Sequence, residues 1–368
     1  MATLAHLRPA PQSASHAVPD PATGERPAAA RSLRLRRDDG TRSHPHKRES
    51  GNVSLRSTER TPAVSIVIPK LGRPELLNAC LVALSRCAWH GDELEIIVVD
   101  DGPSERTRAI VASWNATMAR AGRALRYLPS PGPHGPAAAR NHGWRAARGD
   151  VIAFTDDDTQ PDPGWLDQGV RAFNAGAEAA WGRIVMPIPA PPTDYERDAN
   201  GLERAGLVTA NCFCARALLE RLGGFDERFR MAWREDSDLY FRLLDAGARV
   251  VHVPEAVVLH PVRSASWGVS LKQQRKVLFD ALLYKKHPRL YRSRIRARAR
   301  WDYYGIVAAL VVAAGALVAG NGLVAAAAGS VWLAATAALA LKRLRHTSKA
   351  PAHVTEMVVT SSLIPPLA

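Results

Sequence analysis

Between Gly149 and Leu166 the chain runs a short apolar stretch, Val151-Ile152-Ala153-Phe154, almost directly into three consecutive carboxylates, Asp156, Asp157 and Asp158, and then meets Pro161 and Pro163. An apolar run of that length bounded by turn signals is consistent with a buried strand. The prolines turn the chain out of any sheet. A strand that ends in adjacent acids concentrates negative charge at one spot. A divalent cation held by one or two carboxylates and a phosphate relieves it. A polar turn in which Asp caps the next element explains the same residues, so the neighbouring segments must decide.

A second acidic strand end lies upstream. Val64, Ile66 and Ile68 alternate with Ser65 and Val67 and stop at Pro69, and Leu76, Leu77, Cys80, Leu81 and Leu84 then recur at helical spacing. Glu95 to Val99 is another buried strand, closed by Asp100-Asp101-Gly102. A helix over Glu105 to Ala119 and a strand over Leu125 to Leu128 follow. Strand and helix in alternation predict an α/β domain with a mostly parallel sheet and flanking helices. Ligands bind such sheets at the carboxyl ends of the strands. Asp100-Asp101 and Asp156-Asp157-Asp158 are therefore expected to face one crevice.

Between them, Gly132-Pro133-His134-Gly135-Pro136 leads into Ala137-Ala138-Ala139-Arg140-Asn141, a loop entering a helix. Free N–H groups at such a start suit a phosphate, and Arg140 adds a cation there or is simply a solvated helix residue. From Gly182 to Val208, Pro187, Pro189, Pro191 and Pro192 make the pattern irregular, as in a loop over a site. Gly223-Gly224-Phe225-Asp226-Glu227 is a turn after a helix at 215–222, and Glu235-Asp236-Ser237-Asp238-Leu239 opens another helix. The helix dipole alone accounts for acids in that first turn. Val250 to Val253 and Ala256 to Leu259 are expected as two short strands, the second ending at His260.

The formal net charge of +14 and a pI near 10.1 call for anionic partners such as phosphates, acidic lipid or nucleic acid. Interleaved aromatics of the kind that bind single-stranded nucleic acid are missing, so nucleic acid is not expected. Residues 1–62 carry Arg31, Arg34, Arg36, Arg37, Lys47 and Arg48 without an apolar period, and are expected to be a disordered basic tail with no secretory signal. Cys80, Cys87, Cys212 and Cys214 match no paired zinc spacing and are expected as reduced core thiols.

Residues 306–341 are almost wholly Ala, Val, Leu and Gly, too long for one crossing of a roughly 30 Å hydrocarbon layer. Asn321-Gly322 near the middle predicts a hairpin of two transmembrane helices, about 305–320 and 323–341. Basic clusters at Arg292 to Arg300 and at Lys342, Arg343, Arg345 and His346 place both ends in the cytoplasm of a multi-pass cell-membrane protein. A single tilted span or a buried Ala-rich helix pair are the competing readings. A weaker apolar patch in 353–368 is broken by Pro365 and Pro366.

Taken in order, these pieces resemble the family 2 glycosyltransferases, inverting enzymes with the Rossmann-type GT-A fold, over roughly residues 63–265. Ser65-Ile66-Val67-Ile68-Pro69 looks like the opening strand, which ends beside the nucleotide sugar. Val98-Val99-Asp100-Asp101-Gly102 is similar to the nucleotide-binding strand end. Ala139-Arg140-Asn141-His142-Gly143 resembles the helix after the donor loop, and Phe154-Thr155-Asp156-Asp157-Asp158 the DxD element. Gly223-Gly224-Phe225-Asp226-Glu227 and Glu235-Asp236-Ser237-Asp238-Leu239 resemble acceptor-side motifs. The resemblance implies that Pro69, Asp100, Asp101, Arg140, Asn141, Asp156 and Asp157 bind the nucleotide sugar, with Asp101 on the base. It implies that Asp156 and Asp158 hold Mg²⁺ or Mn²⁺, with His260 as a further candidate ligand. Asp236 would be the general base, with Glu235 as the fallback.

The implied division is a tail at 1–62, a catalytic domain at 63–290, a hairpin with basic flanks at 291–348 and a C-terminal tail at 349–368. The acceptor would be a lipid-linked or cell-envelope glycan near the membrane. Two departures stand out: the opening strand continues Lys70-Leu71-Gly72-Arg73 where the family has Thr, an aromatic and Asn, and Gln273-Gln274-Arg275-Lys276 lacks the Gln-x-x-Arg-Trp of processive polymer synthases. Three other readings remain: an inactive GT-A-like module at the membrane, a nucleotidyltransferase, and a basic membrane protein with no reaction at all.

Overall fold

The computed structural model describes residues 63–368 except Asp92; the basic tail expected at 1–62 lies outside the described residues. In chain order the elements up to the last strand are β1 (Val64–Lys70), α1 (Pro74–Arg86), β2 (Leu94–Asp100), α2 (Glu105–Arg120), β3 (Arg123–Pro129), α3 (Pro136–Ala146), β4 (Val151–Thr155), β5 (Gln160–Pro161), α4 (Trp165–Asn174), β6 (Ala179–Val185), α5 (Asp194–Asn200), β7 (Asn211–Ala215), α6 (Arg216–Leu222), α7 (Glu235–Asp245) and β8 (Val250–Leu259). There follow α8 (Val269–Lys272), α9 (Val277–Lys286), α10 (Pro288–Arg294), α11 (Trp301–Val318), α12 (Gly322–Leu344) and α13 (Pro351–Leu367).

The strands form one sheet in the order β3-β2-β1-β4-β7-β6-β8-β5. The first four are parallel, as the alternation of strand and helix requires, and β6 pairs parallel with β8. The sheet is nevertheless mixed, because β7 runs antiparallel to both β4 and β6, and β5 antiparallel to β8. Side-chain alternation builds a core on each face. Ile152 and Phe154 of β4 pack with α3, α6 and α7, and Val151 and Ala153 pack with α1 and α4. The four cysteines are buried and unpaired, and burial pushes the Cys87 thiol up to about 12, as befits inert core thiols.

Three expectations change. Residues 182–208 are not one irregular loop: β6 runs to Val185 and α5 occupies 194–200, with a capping box from Thr193 and Glu196. The two strands expected at 250–253 and 256–259 are one, β8, through Pro254. Its register against β6 shifts between Gly182 and Arg183, from Val253 to Val257, so the proline sits in a bulge where no ladder donor is needed. Pro365 and Pro366 do not break the last segment, which is helical to Leu367. The buried Ile364 packs there with Tyr303 and Leu339, and this contact offsets the lost backbone bonds of one helix end.

Helices α11 and α12 are long and apolar enough to cross a membrane, by length and composition. Asn321 caps α12 by accepting from Val324 N–H. Large side chains along both, among them Val311, Val312, Leu317, Val318, Leu323 and Leu333, are exposed. Arg343 is not part of a solvated basic flank. It is buried, 3.0 Å from Asp194, and also donates to Thr360, Ser361 and Ser270, which ties the hairpin to α5, α8 and α13.

Candidate active site

The carboxyl ends of β1, β2 and β4 and the start of α3 surround a cleft of about 520 Å³ whose walls include Asp101, Arg140, Asp156 and Asp157. Asp101 faces it. One of its oxygens accepts from Gly135 N–H at 2.8 Å and the other meets His134 Nδ1 at 3.1 Å. Asp100 lies behind it, fully buried, with Lys70 Nζ at 3.3 Å and Ser104 N–H and Tyr127 Oη each at 3.1 Å. Lys70, the charged departure at the end of β1, is thus turned inward to Asp100 and Thr107. Pro69 also lines the cleft.

At the end of β4, Asp156 is 2.7 Å from Arg140 Nη2, and Asp158 is ion-paired with Arg263. Asp156, Asp158 and His260 each offer a ligand atom, all within 4.8 Å of one another. His260 Nε2 stands 3.9 Å from Asp158 Oδ1, and that oxygen is buried with no hydrogen-bond partner. Two carboxylates and an imidazole around an orphaned oxygen fit a hard or borderline divalent cation. The segment after β8 brings His260 there through His260 N–H to Val185 O at 2.8 Å. Burial opposes ionisation of Asp156, but Arg140, His260 and Arg263 outweigh it and hold the carboxyl below its ordinary range. Burial and the neighbouring Asp158 push Asp157 up to about 7, against the opposing pull of Arg73 Nη2 at 3.8 Å.

Arg140 is neither a solvated residue nor only a phosphate contact. It is buried, and its other nitrogen, Nη1, is 3.1 Å from Glu235 Oε1. One guanidinium therefore joins the strand-end acids to those at the start of α7. Burial and the adjacent Asp236 push Glu235 up to about 7, and its Oε2 is buried without a partner. Burial also raises Asp236, whose Oδ1 accepts from Ser237 N–H at 2.5 Å. Arg234 at the cap of α7 has φ 74°, a left-handed conformation that a non-glycine residue adopts only when its surroundings hold it there. Asp280 at 2.6 Å and the Trp233 ring, 4.5 Å away, supply that hold.

Asn141 ties two of the sequence motifs together. Its Oδ1 accepts from Phe225 N–H and Trp144 Nε1–H, and its Nδ2 donates to Phe225 O and Glu227 Oε1. A Cβ on Gly224 would fall 2.4 Å from Asn141 Oδ1, and φ there is +73°, so only glycine fits. Asp238 in α7 is paired with Arg242 at 2.9 Å. Sequence reasoning did not single out Arg263 or the Arg234–Asp280 pair. Arg263 follows His260 by three residues in a stretch without periodicity, and Asp280 is 46 positions from its partner. Nothing local marks either.

The family model described as Glycosyl transferase family 2 matches residues 65–230, and the one described as Glycosyl transferase family group 2 matches 195–342. The chain is similar to Glycosyltransferase AglE of Haloferax volcanii, 26% identical over 262 residues, which is 68% of this chain and 83% of the relative. It is also similar to the Pre-mycofactocin glycosyltransferase of Mycobacterium tuberculosis, 31% identical over 220 residues. There the match spans 55% of this chain but only 43% of the relative. Among solved structures, the mannosyltransferase PcManGT from Pyrobaculum calidifontis, in complex with GDP-Man and Mn²⁺, superposes with a TM-score of 0.53 at 21% identity. The superposition covers 83% of this chain and 87% of that one, which shows a common fold.

Proposed function

Since the chain belongs to the family 2 glycosyltransferases and is a transferase enzyme, we propose that it moves a sugar from a nucleoside-diphosphate sugar to an acceptor hydroxyl by metal-assisted direct displacement. The acceptor in this reading is a lipid-linked or cell-envelope glycan. Residues 63–290 are the catalytic domain, and α11 and α12 form a membrane hairpin within 291–348 with both ends on the cytoplasmic side. The C-terminal segment 349–368, as α13, packs against that hairpin.

One observation carries the reading: Arg140 spans from Asp156 to Glu235, 2.7 Å and 3.1 Å away, so that strand-end and helix-start acids border one site. Asp101 at the cleft wall is suited to hydrogen-bond the base. Asp156, Asp158 and His260 would hold Mg²⁺ or Mn²⁺. A bound metal would supply Lewis-acid neutralisation of charge on the departing nucleoside diphosphate. Asp236 would take the proton of the acceptor hydroxyl as its oxygen attacks the anomeric carbon and the bond to the diphosphate breaks. Glu235, held by Arg140, would keep that carboxyl in place or substitute for it.

The test is nucleoside-diphosphate release from a panel of nucleotide sugars, with and without Mn²⁺ or Mg²⁺, by wild type, Asp158→Ala and Asp236→Asn. Metal-dependent turnover of one donor, abolished in both variants, is expected. Failure to bind any donor, with or without metal, would overturn the reading in favour of an inactive GT-A-like module.

A further inference from the structure

Away from the cleft, a cavity of about 660 Å³ opens between α9, α10, the 295–300 connection, the first turn of α11 and Pro365 and Ala368 at the end of α13. It shares no lining residue with the catalytic cleft. Its rim carries Arg292, Arg296, Arg298 and Arg300, and the one acidic side chain that lines it, Asp280, is paired with Arg234 at 2.6 Å. Tyr284, Tyr291 and Tyr303 supply ring faces, with Arg292 and Arg300 stacked on Tyr284 and Tyr303. The N–H edge of Arg300 is taken up by Asp302, at 2.8 and 2.7 Å, and Arg292 donates to Tyr284 Oη, so Arg296 and Arg298 on the connection are the guanidiniums that offer their N–H groups to an anion. Trp301 and Tyr304, both exposed, mark the first turn of α11, where amphipathic rings belong at a membrane–water boundary. Beyond them the helix is apolar and exposed.

A concave, cationic, aromatic-walled pocket at the mouth of an apolar hairpin has one natural occupant. We propose that it binds the phosphate headgroup of an anionic membrane lipid, with the acyl chains lying along α11. Basic pockets on the cytoplasmic side of membrane helices take phosphate headgroups in this way. This rests on the membrane hairpin proposed above. The inner wall is one ion pair from the catalytic acids, through Asp280 to Arg234 and so to the cap of α7.

The test uses the full chain, first mixed with neutral phosphatidylcholine vesicles and then titrated with phosphatidate in neutral detergent, with retained lipid counted by native mass spectrometry. Inorganic phosphate serves as the headgroup without chains. The variants are Arg296→Glu/Arg298→Glu, which reverses the rim charge at positions outside any helix, and Ala281→Trp, which fills the pocket and leaves the charge; Ala297→Trp fills it from the opposite wall. Wild type should enter neutral vesicles and retain about one phosphatidate, with binding weakened roughly tenfold or more by the charge reversal and by either filling variant. Inorganic phosphate should not displace the lipid. Entry into neutral vesicles without phosphatidate binding overturns the pocket alone, whereas failure to enter overturns the hairpin. Loss on charge reversal but not on filling reduces the site to surface attraction and overturns it as well, as does displacement by inorganic phosphate.

Discussion

The acids at the end of β4 and those at the start of α7 are joined by Arg140 and differ in electrostatics. Asp156 and Asp158 at the end of β4 each face an arginine, Arg140 and Arg263, and Asp156 is held ionised. Glu235 at the start of α7 pairs with the other side of Arg140, and Asp236 has Arg234 and Arg140 near it, yet burial outweighs these cations and both carboxyls are raised. The balance of burial against cations decides the difference, not residue type. Carboxylates kept charged suit a metal and a diphosphate, and carboxylates pushed toward neutral pH suit proton transfer.

The comparison breaks most sharply at its ends. Asp236→Asn keeps size and hydrogen bonding but removes the basic carboxylate, and should lower kcat by about 10²–10⁴-fold with donor affinity little changed. Asp158→Ala should cost turnover on the same scale but act through metal, so its dependence on Mn²⁺ or Mg²⁺ concentration should weaken. Steady-state kinetics with a metal titration separates the two. Equal metal dependence in both variants would refute the division of labour.

Arg140 is the shared member, and Arg140→Met tests the link itself. It would leave the buried Glu235 and the partly buried Asp156 without their shared cation, a loss of about 3–5 kcal/mol for a broken buried pair, read as a lower denaturation midpoint. The same variant should raise Asp156 and weaken metal binding. A variant as stable as wild type would mean that the bridge holds nothing.

Much of this was legible in the chain because it is local. Strand ends followed by acids, Val98 to Gly102 and Phe154 to Asp158, and the strand Ser65 to Pro69 that stops at a proline, announce themselves within a few residues, and a parallel sheet sets their ends side by side. What escaped was non-local or depended on tolerance. Arg140 reads as an ordinary helix residue until α7, 95 positions away, brings Glu235 against it. Pro254 reads as a strand end, and only the bulge against β6 makes it harmless. Pro365 and Pro366 read as helix breakers, and only packing of Ile364 on α11 and α12 keeps that segment helical. Arg343 reads as a cytoplasmic flank charge, although its partner Asp194 lies 149 positions away.

The raised pair makes a pH prediction of two opposite signs. Glu235 titrates near 7 in the folded chain against an ordinary 4.5, so between those values the folded state binds more protons than the unfolded one. This contribution to stability is fully present below about 4.5 and is lost as the pH rises through 7. In the proposed mechanism turnover needs Asp236 deprotonated, and because burial raises that carboxyl too, turnover should run the other way and fall, by up to tenfold per pH unit, as the solution is made acidic. Asp236→Asn should reduce the stability trend without abolishing it, because Glu235 then loses the neighbouring charge but keeps the burial that raises it most. A turnover profile level from pH 5 to 8 would remove Asp236 and Glu235 as the base.

The smallest effect is expected at Arg263, and it is small for a reason that sharpens the contrast with Arg140. Both arginines pair with strand-end acids, yet the Arg263 side chain is 43% exposed and that of Arg140 only 3%. Water screens an exposed pair, so Arg263→Gln should cost no more than about 1 kcal/mol in denaturant unfolding, well below Arg140→Met. Asp158 would lose its competing cation, and metal binding measured by calorimetry should be unchanged or tighter, the reverse of the Arg140 variant. Weaker metal binding in Arg263→Gln would mean that this arginine orients Asp158 for the ion instead of standing in its place.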